Sequence, residues 1–156
     1  ELGASVADRT AIISNVMQRV NNIDFDMEHP EYDLIGTAYM ILIGLFASDA
    51  GKALGNDVLD LGATGLYGPA MNIHRNAYAG RNFEYYSEDS FLSGAIAAAE
   101  VKGIQSKGVY VYIKHFALND SETACRCIST WANEQSIREV YLKPFEMAIV
   151  DGGAMK

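Results

Sequence analysis

VYVYIKHF, Val109 to Phe116, is an unbroken run of β-branched and aromatic residues that closes on a lysine and a histidine. Such side chains suit a pleated surface, and a short apolar run without alternation predicts a strand buried on both faces, as parallel strands are. Working back from it, SFLSGAIAAAEVKGIQSK, Ser90 to Lys107, is rich in helix formers. Its predicted buried stripe is Leu92, Ile96, Ala99 or Val101, and Ile104, with Gly108 as the left-handed terminator. Further back, Ala50, Leu54, Val58 and Leu61 fall on one face of a helix that Ser48 can cap and Gly62 can stop, and Thr64 to Tyr67 reads as a strand. Beyond the central strand, a polar NDSETACRC loop leads to a helix starting at Asn133 or Glu134 and ending at Gly152 and Gly153, with Pro144 as its kink or break. The alternation of helix and strand predicts an α/β domain with a parallel sheet. Ligands of such sheets gather at the carboxyl ends of strands, so Lys114, His115 and the loop from Asn72 to Asp89 belong on one rim.

The 156 residues, 49% of them hydrophobic, suffice for one domain with a core. Twenty acidic against twelve basic residues give a net charge of −8, which argues against nucleic acid and anionic membrane surfaces as partners. The apolar run AYMILIGLFA, Ala38 to Ala47, is by itself shorter than the ~20 residues that cross a bilayer, and predicts a buried strand or helix in a soluble protein. SVADRTAIISNVMQRV carries apolar residues at helical spacing after Ser5, and Asn21 to Pro30 is turn-like. Cys125 and Cys127, two apart, are expected as free thiols: they are poorly spaced for a loop-closing bridge and too few for zinc. With no basic-then-apolar leader in view, the cytoplasm is the expected location, for a chain that can start within a longer protein.

GATGLYG, Gly62 to Gly68, imitates a dinucleotide loop, but a helix precedes it and Pro69 follows it, the reverse of what that site needs. It predicts a helix stop and turn, and no cofactor is expected. His29, His74 and His115 form no helical pair, so no metal site is expected, and His74 is read as a hydrogen-bonded histidine. Lys114, ending an apolar strand, needs either a ligand or a buried salt bridge. GRNFEYYSED, Gly80 to Asp89, packs an arginine, three carboxylates and three aromatic rings into one loop. Hydroxyls of a sugar take paired hydrogen bonds from guanidinium and carboxylate, and aromatic faces cover its C–H surface. A structural Arg81–Glu84 ion pair accounts for the same residues equally well. Glu88 and Asp89 are placed to cap the following helix.

Three blocks, GPAMNIHRNAYAGRNFEYYSEDSFLSG, KGIQSKGVYVYIKHFALNDSET and IREVYLKPFEMAI, resemble consecutive motifs of the N-terminal barrel domain of glycoside hydrolase family 3, the β-glucosidase and β-xylosidase family. The resemblance covers residues 52–156 well and residues 1–51 poorly. It implies a single partial domain over 1–156, a partial TIM-type (β/α) barrel with parallel strands. It further implies a retaining mechanism on a β-glucoside or related oligosaccharide, with Arg81, Lys114, His115 and, in support, Glu84 holding sugar hydroxyls in the reacting subsite. The family's nucleophile belongs to a Ser-Asp-Trp-like motif expected beyond Lys156, and its acid/base usually to a separate domain, so no catalytic residue is assigned to this chain. The family's upstream Asp-Gly-Pro motif is missing. Asn119 and Asp120 stand where the hexosaminidase branch carries a histidine, which favours the glucosidase or xylosidase branch. The expected function is therefore part of a retaining β-glycosidase. The alternative is a non-catalytic barrel fragment that self-associates or binds sugar weakly. The expected partners, beside the sugar, are a second copy or the remainder of a parent enzyme.

Overall fold

The structure, a computed structural model, describes residues 34–154 together with Ser14 and Gln18. The expected N-terminal helix after Ser5 and the turn at 21–30 lie outside the described residues. The chain divides into two compact units, residues 1–38 and 39–156, and the second holds the elements discussed below. Its order is helix α1 (Leu34–Asp60, which begins in the first unit), strand β1 (Gly65–Leu66), a 3-10 turn (Asn82–Glu84), helix α2 (Ser90–Gln105), strand β2 (Tyr110–Val111), helix α3 (Glu134–Ser136, continued by a π-helical turn Ile137–Tyr141) and helix α4 (Lys143–Val150).

β1 and β2 pair in parallel, Gly65 with Tyr110 and Leu66 with Val111, and α2 makes the crossover between them. A further parallel bridge joins Ala70 to Lys114. The α/β reading with parallel strands therefore holds at the level of this unit. The regular strand is shorter than Val109 to Phe116, and it is not buried on both faces. Val109 and Val111 are 1% and 3% exposed, whereas Tyr110 and Tyr112 are 52% and 55% exposed. The odd positions point at α2 and α4, and among the described residues no second layer covers the even ones. Tyr112 stacks at a tilt on Tyr67, 5.1 Å between ring centroids, on that open face.

α1 differs most from expectation. Ser48 does not cap it, because Ala38 to Ala47 is itself helical and Ser48 sits mid-helix; the stop at Gly62 is as expected, with φ +74°. The buried stripe is Ala47, Gly51, Gly55 and Val58, while Ala50 and Leu61 of the predicted face are exposed. Small residues hold this stripe because α2 crosses it backbone to backbone. A Cβ on Gly51 would overlap the Glu100 carbonyl, and one on Gly103 the Ser48 carbonyl. The apolar run is not buried either: Tyr39, Ile41, Leu45 and Phe46 are all more than half exposed. Gly36–Asp60 is long and apolar enough to cross a membrane by length and composition, and little of it is buried. Asp49, Lys52, Asp57 and Asp60 along it, opposite a stripe packed on protein, are the pattern of a helix with one docked face.

Asp89 caps α2, its Oδ1 accepting from the Leu92 N–H at 2.6 Å, and Gly108 ends the segment at φ +82°. Val101 and Ile104 are fully buried as expected, but the rest of the stripe shifts to Ser93, Gly94, Ala97 and Ala98, with Leu92 and Ile96 only partly covered. α4 packs there: Gly94 lies against the Met147 side chain. Asn133 caps α3, and the expected break falls at Leu142, with Pro144 in the first turn of α4, where it lacks no needed N–H. The core joins Val58, Met71, Ala97, Val101, Ile104, Val109, Val111, Phe145 and Ala148. Each valine, isoleucine, methionine or phenylalanine among them contributes about 1.5–3 kcal/mol on burial.

Candidate functional site

The strands carry polar residues where they leave the core. Beyond β2 the chain stays extended to Lys114, whose N–H donates to the Pro69 carbonyl (3.1 Å) and whose carbonyl accepts from the Met71 N–H (2.9 Å). These bonds fasten the end of VYVYIKHF to the start of the 69–89 loop. The loop is held further by His74, whose backbone N–H donates to the Ser87 carbonyl at 3.1 Å and whose Nε2 donates to the Asn82 carbonyl at 3.0 Å. That is the hydrogen-bonded role expected of His74. Tyr86 anchors the loop to α2 by donating to Glu100 Oε2 at 2.6 Å, and burial raises the pKa of that carboxyl.

The 3-10 turn thereby presents Arg81 and Glu84 to Lys114 and His115. Glu84 is the hub. Arg81 Nε donates to Glu84 Oε1, Lys114 Nζ lies 3.1 Å from Oε2, and His115 Nε2 lies 3.8 Å from Oε1. Their side chains keep between 18% and 34% of their surface open, so the cluster is sheltered but reachable. Burial alone would raise the Glu84 pKa; the hydrogen bonds from Arg81 and Lys114 outweigh it and hold the carboxyl below its ordinary range. Burial, then the positive charges of Arg81 and Lys114, lower the His115 pKa against the opposing pull of Glu84 and Glu122, so the ring is neutral at pH 7.

Behind His115 stands a polar chain. Asn119 Nδ2 donates to the Tyr85 hydroxyl (3.1 Å) and to Glu122 Oε1 (2.8 Å), and the Tyr85 hydroxyl lies 3.3 Å from His115 Nδ1. His115 Nδ1 also lies 3.3 Å from Asn72 Oδ1, which can only accept, and the Tyr85 hydroxyl donates to the Asn119 carbonyl at 3.5 Å, so both neighbours of Nδ1 are satisfied when it carries the proton of the neutral ring. The Tyr85 ring meets His115 edge-on at 6.0 Å. Asn72, 3% exposed, reaches the His115 backbone: its Oδ1 accepts from the His115 N–H (2.7 Å) and its Nδ2 donates to the His115 carbonyl (2.9 Å). Next to the cluster a cavity of about 360 Å³ is lined by Asn76, Asn119, Asp120, Cys125 and Trp131 among others. Burial raises the Asp120 pKa, and Trp131 is 85% exposed. Cys125 and Cys127 are exposed free thiols.

Of the four residues singled out in the sequence, Arg81, Lys114 and His115 thus converge on the carboxylate of the fourth, Glu84. Asn72, Tyr85, Asn119 and Glu122 were not singled out as site residues. The signal for Asn72 was available: an amide between Met71 and Ile73 in an apolar run must find partners if it is buried. Chemically, a guanidinium and an ammonium bring about twice as many donors as one carboxylate has lone pairs, leaving donors for a polyhydroxylated ligand.

The model of the glycosyl hydrolase family 3 N-terminal domain matches residues 27–155. A β-glucosidase of Rhizobium radiobacter is 47% identical over 104 residues, 67% of this chain and 13% of that protein. One of Ruminococcus albus is 55% identical over 84 residues, 54% of this chain and 9% of that protein. The chain thus spans between 9% and 13% of the length of these two relatives. Among solved structures, β-glucosidase 3B of Thermotoga neapolitana in complex with α-D-glucose superposes with a TM-score of 0.66 at 49% identity, covering 68% of this chain and 15% of that one.

Proposed function

The chain belongs to glycosyl hydrolase family 3 through its N-terminal domain, and from that premise we propose that it supplies the sugar-holding residues of a retaining β-glucosidase. In this reading the β1–α2–β2 unit is one sector of a (β/α) barrel, and the cluster lies at the carboxyl ends of its strands, where such barrels carry their sites. Arg81 and Lys114 donate to adjacent sugar hydroxyls, Glu84 orients both cations and accepts from a hydroxyl, and neutral His115 adds a further contact. Neither carboxylate of the retaining pair is assigned to these residues.

The observation that carries this reading is the convergence of Arg81, Lys114 and His115 on Glu84. Support comes from the relatives named as β-glucosidases and from the glucose-bound structure that superposes on this chain. Titration of the 156-residue chain with glucose, followed by NMR, tests it. Saturable shifts at Arg81, Glu84, Lys114 and His115, abolished in R81A and K114A, are expected. A wild-type spectrum unmoved by tens of millimolar glucose overturns it and leaves a structural ion cluster.

A second reading, a non-catalytic barrel fragment that self-associates, is favoured by the apolar surface left open on α1 and on the tyrosine face of the sheet. In that reading the cluster serves to join the 69–89 loop to β2.

A further inference from the structure

We infer that Asn72 is a positioning residue whose side-chain amide holds both main-chain groups of His115 just past the end of the strand ladder and so sets where Lys114 and His115 stand at Glu84. Its effect on ligand rests on the sugar reading above; the clamp itself does not.

The parallel ladder between the two chain segments ends at Lys114. Lys114 bonds Pro69 and Met71 through its backbone, and Ala70 is its bridge partner. Residues 110, 112 and 114 bond this neighbouring segment, so a regular strand would turn the main-chain groups of His115 to its other side, and no backbone group of the 69–71 segment bonds them. The Asn72 side chain does, accepting from the His115 N–H at 2.7 Å and donating to the His115 carbonyl at 2.9 Å. A single amide thus satisfies both main-chain groups of one residue, as an adjoining strand does over two residues. The same Oδ1 lies 3.3 Å from His115 Nδ1, on the side away from Glu84.

The geometry is selective for asparagine. Aspartate matches the length but has no donor, and would set lone pairs against the His115 carbonyl. Glutamine is a methylene too long, and an apolar side chain of equal size would strand two sheltered backbone groups as well as the space they share. Because Asn72 is itself buried, its cost of desolvation is offset only by these bonds. The consequence for the cluster is direct. His115 is fixed at its backbone by Asn72 and at its ring by Tyr85, so the direction of Nε2 toward Glu84 is set before any ligand arrives.

The test begins with the wild-type chain. In the isotopically labelled protein, scalar couplings across the two hydrogen bonds, from Asn72 Nδ2 to the His115 carbonyl carbon and from the His115 nitrogen to Asn72 Cγ, are expected. Absence of both overturns the clamp without recourse to any variant. Glucose affinity then tests its purpose. N72A, N72L and N72D should each weaken binding at least about tenfold, and N72A/H115A should bind no worse than H115A. Wild-type affinity in N72L, or losses in N72A and H115A that multiply in the double variant, overturns the positioning role. If the wild-type chain binds no glucose, the sugar reading fails while the couplings still decide the clamp.

Discussion

At Glu84 one carboxylate answers two cations, and its lowered pKa has a consequence for stability. Burial works against the charged form, but the bonds from Arg81 and Lys114 prevail. A carboxyl whose folded pKa lies below its unfolded value of 4.5 stabilises the fold above that value, and the contribution is lost as pH falls through the folded pKa. We therefore expect wild-type protein to melt higher than E84Q at neutral pH and the gap to close as pH drops below about 4. Thermal melts of both proteins across that range check it; a constant gap would show that Glu84 is not charged in the fold. Arg81 and Glu84 were legible as partners in the sequence because they stand three apart in one loop. Their meeting with Lys114 followed from strand polarity. Asn72 was legible only as an amide in need of partners; which partners was not, since they are backbone groups of a residue 43 positions away.

Among the elements, α1 and α2 show how a close crossing depends on the absence of side chains. Gly103 faces the Ser48 carbonyl and Gly51 the Glu100 carbonyl, both rigid backbone groups. Gly103→Ala must push the helices apart, at a cost of about 1–3 kcal/mol or more. Gly44, in the same α1, has nothing within 4 Å of an added Cβ. There an alanine should stabilise by up to about 1 kcal/mol. Denaturant unfolding of the two variants measures the contrast, and equal midpoints would mean that the helices do not cross at these glycines. Ile104→Ala, in the centre of the core and fully buried, should cost about 2–5 kcal/mol in the same assay. The order of helices and strands was readable from periodicity and stop signals. The buried faces were less so: apolar spacing marked Leu61 and Ala50 for burial, whereas Ala47, Gly51 and Gly55 at the crossing took that place because small residues allow the backbones to meet.

For the molecule as a whole, exposed apolar surface is the main fact left to account for. Tyr39, Ile41, Leu45 and Phe46 on α1, and Tyr67, Tyr110 and Tyr112 on the sheet, lie open. Contiguous patches of that kind on soluble proteins mark contact sites. Sedimentation of the 156-residue chain should show concentration-dependent association, reduced in L45E/F46E; a monomer at all concentrations would mean that these faces need no cover. The same chain is expected to release no aryl leaving group from a β-glucoside, because the retaining reaction needs a free carboxylate pair ~5 Å apart, and the Glu84 carboxylate is engaged by Arg81 and Lys114. Measured turnover, lost on replacing Glu84, Asp120 or Glu122, would reverse that view. Finally, the chain has one tryptophan, Trp131, and it is 85% exposed beside Asn119 and Asp120 rather than in the core. Its indole emission is therefore that of a solvated ring from the outset, and reports the loop next to the Glu84 cluster while the packing around Ile104 and Phe145 stays optically silent. Fluorescence and far-UV dichroism of one sample would then follow different events, and an indole-only melting curve would describe this loop instead of the fold.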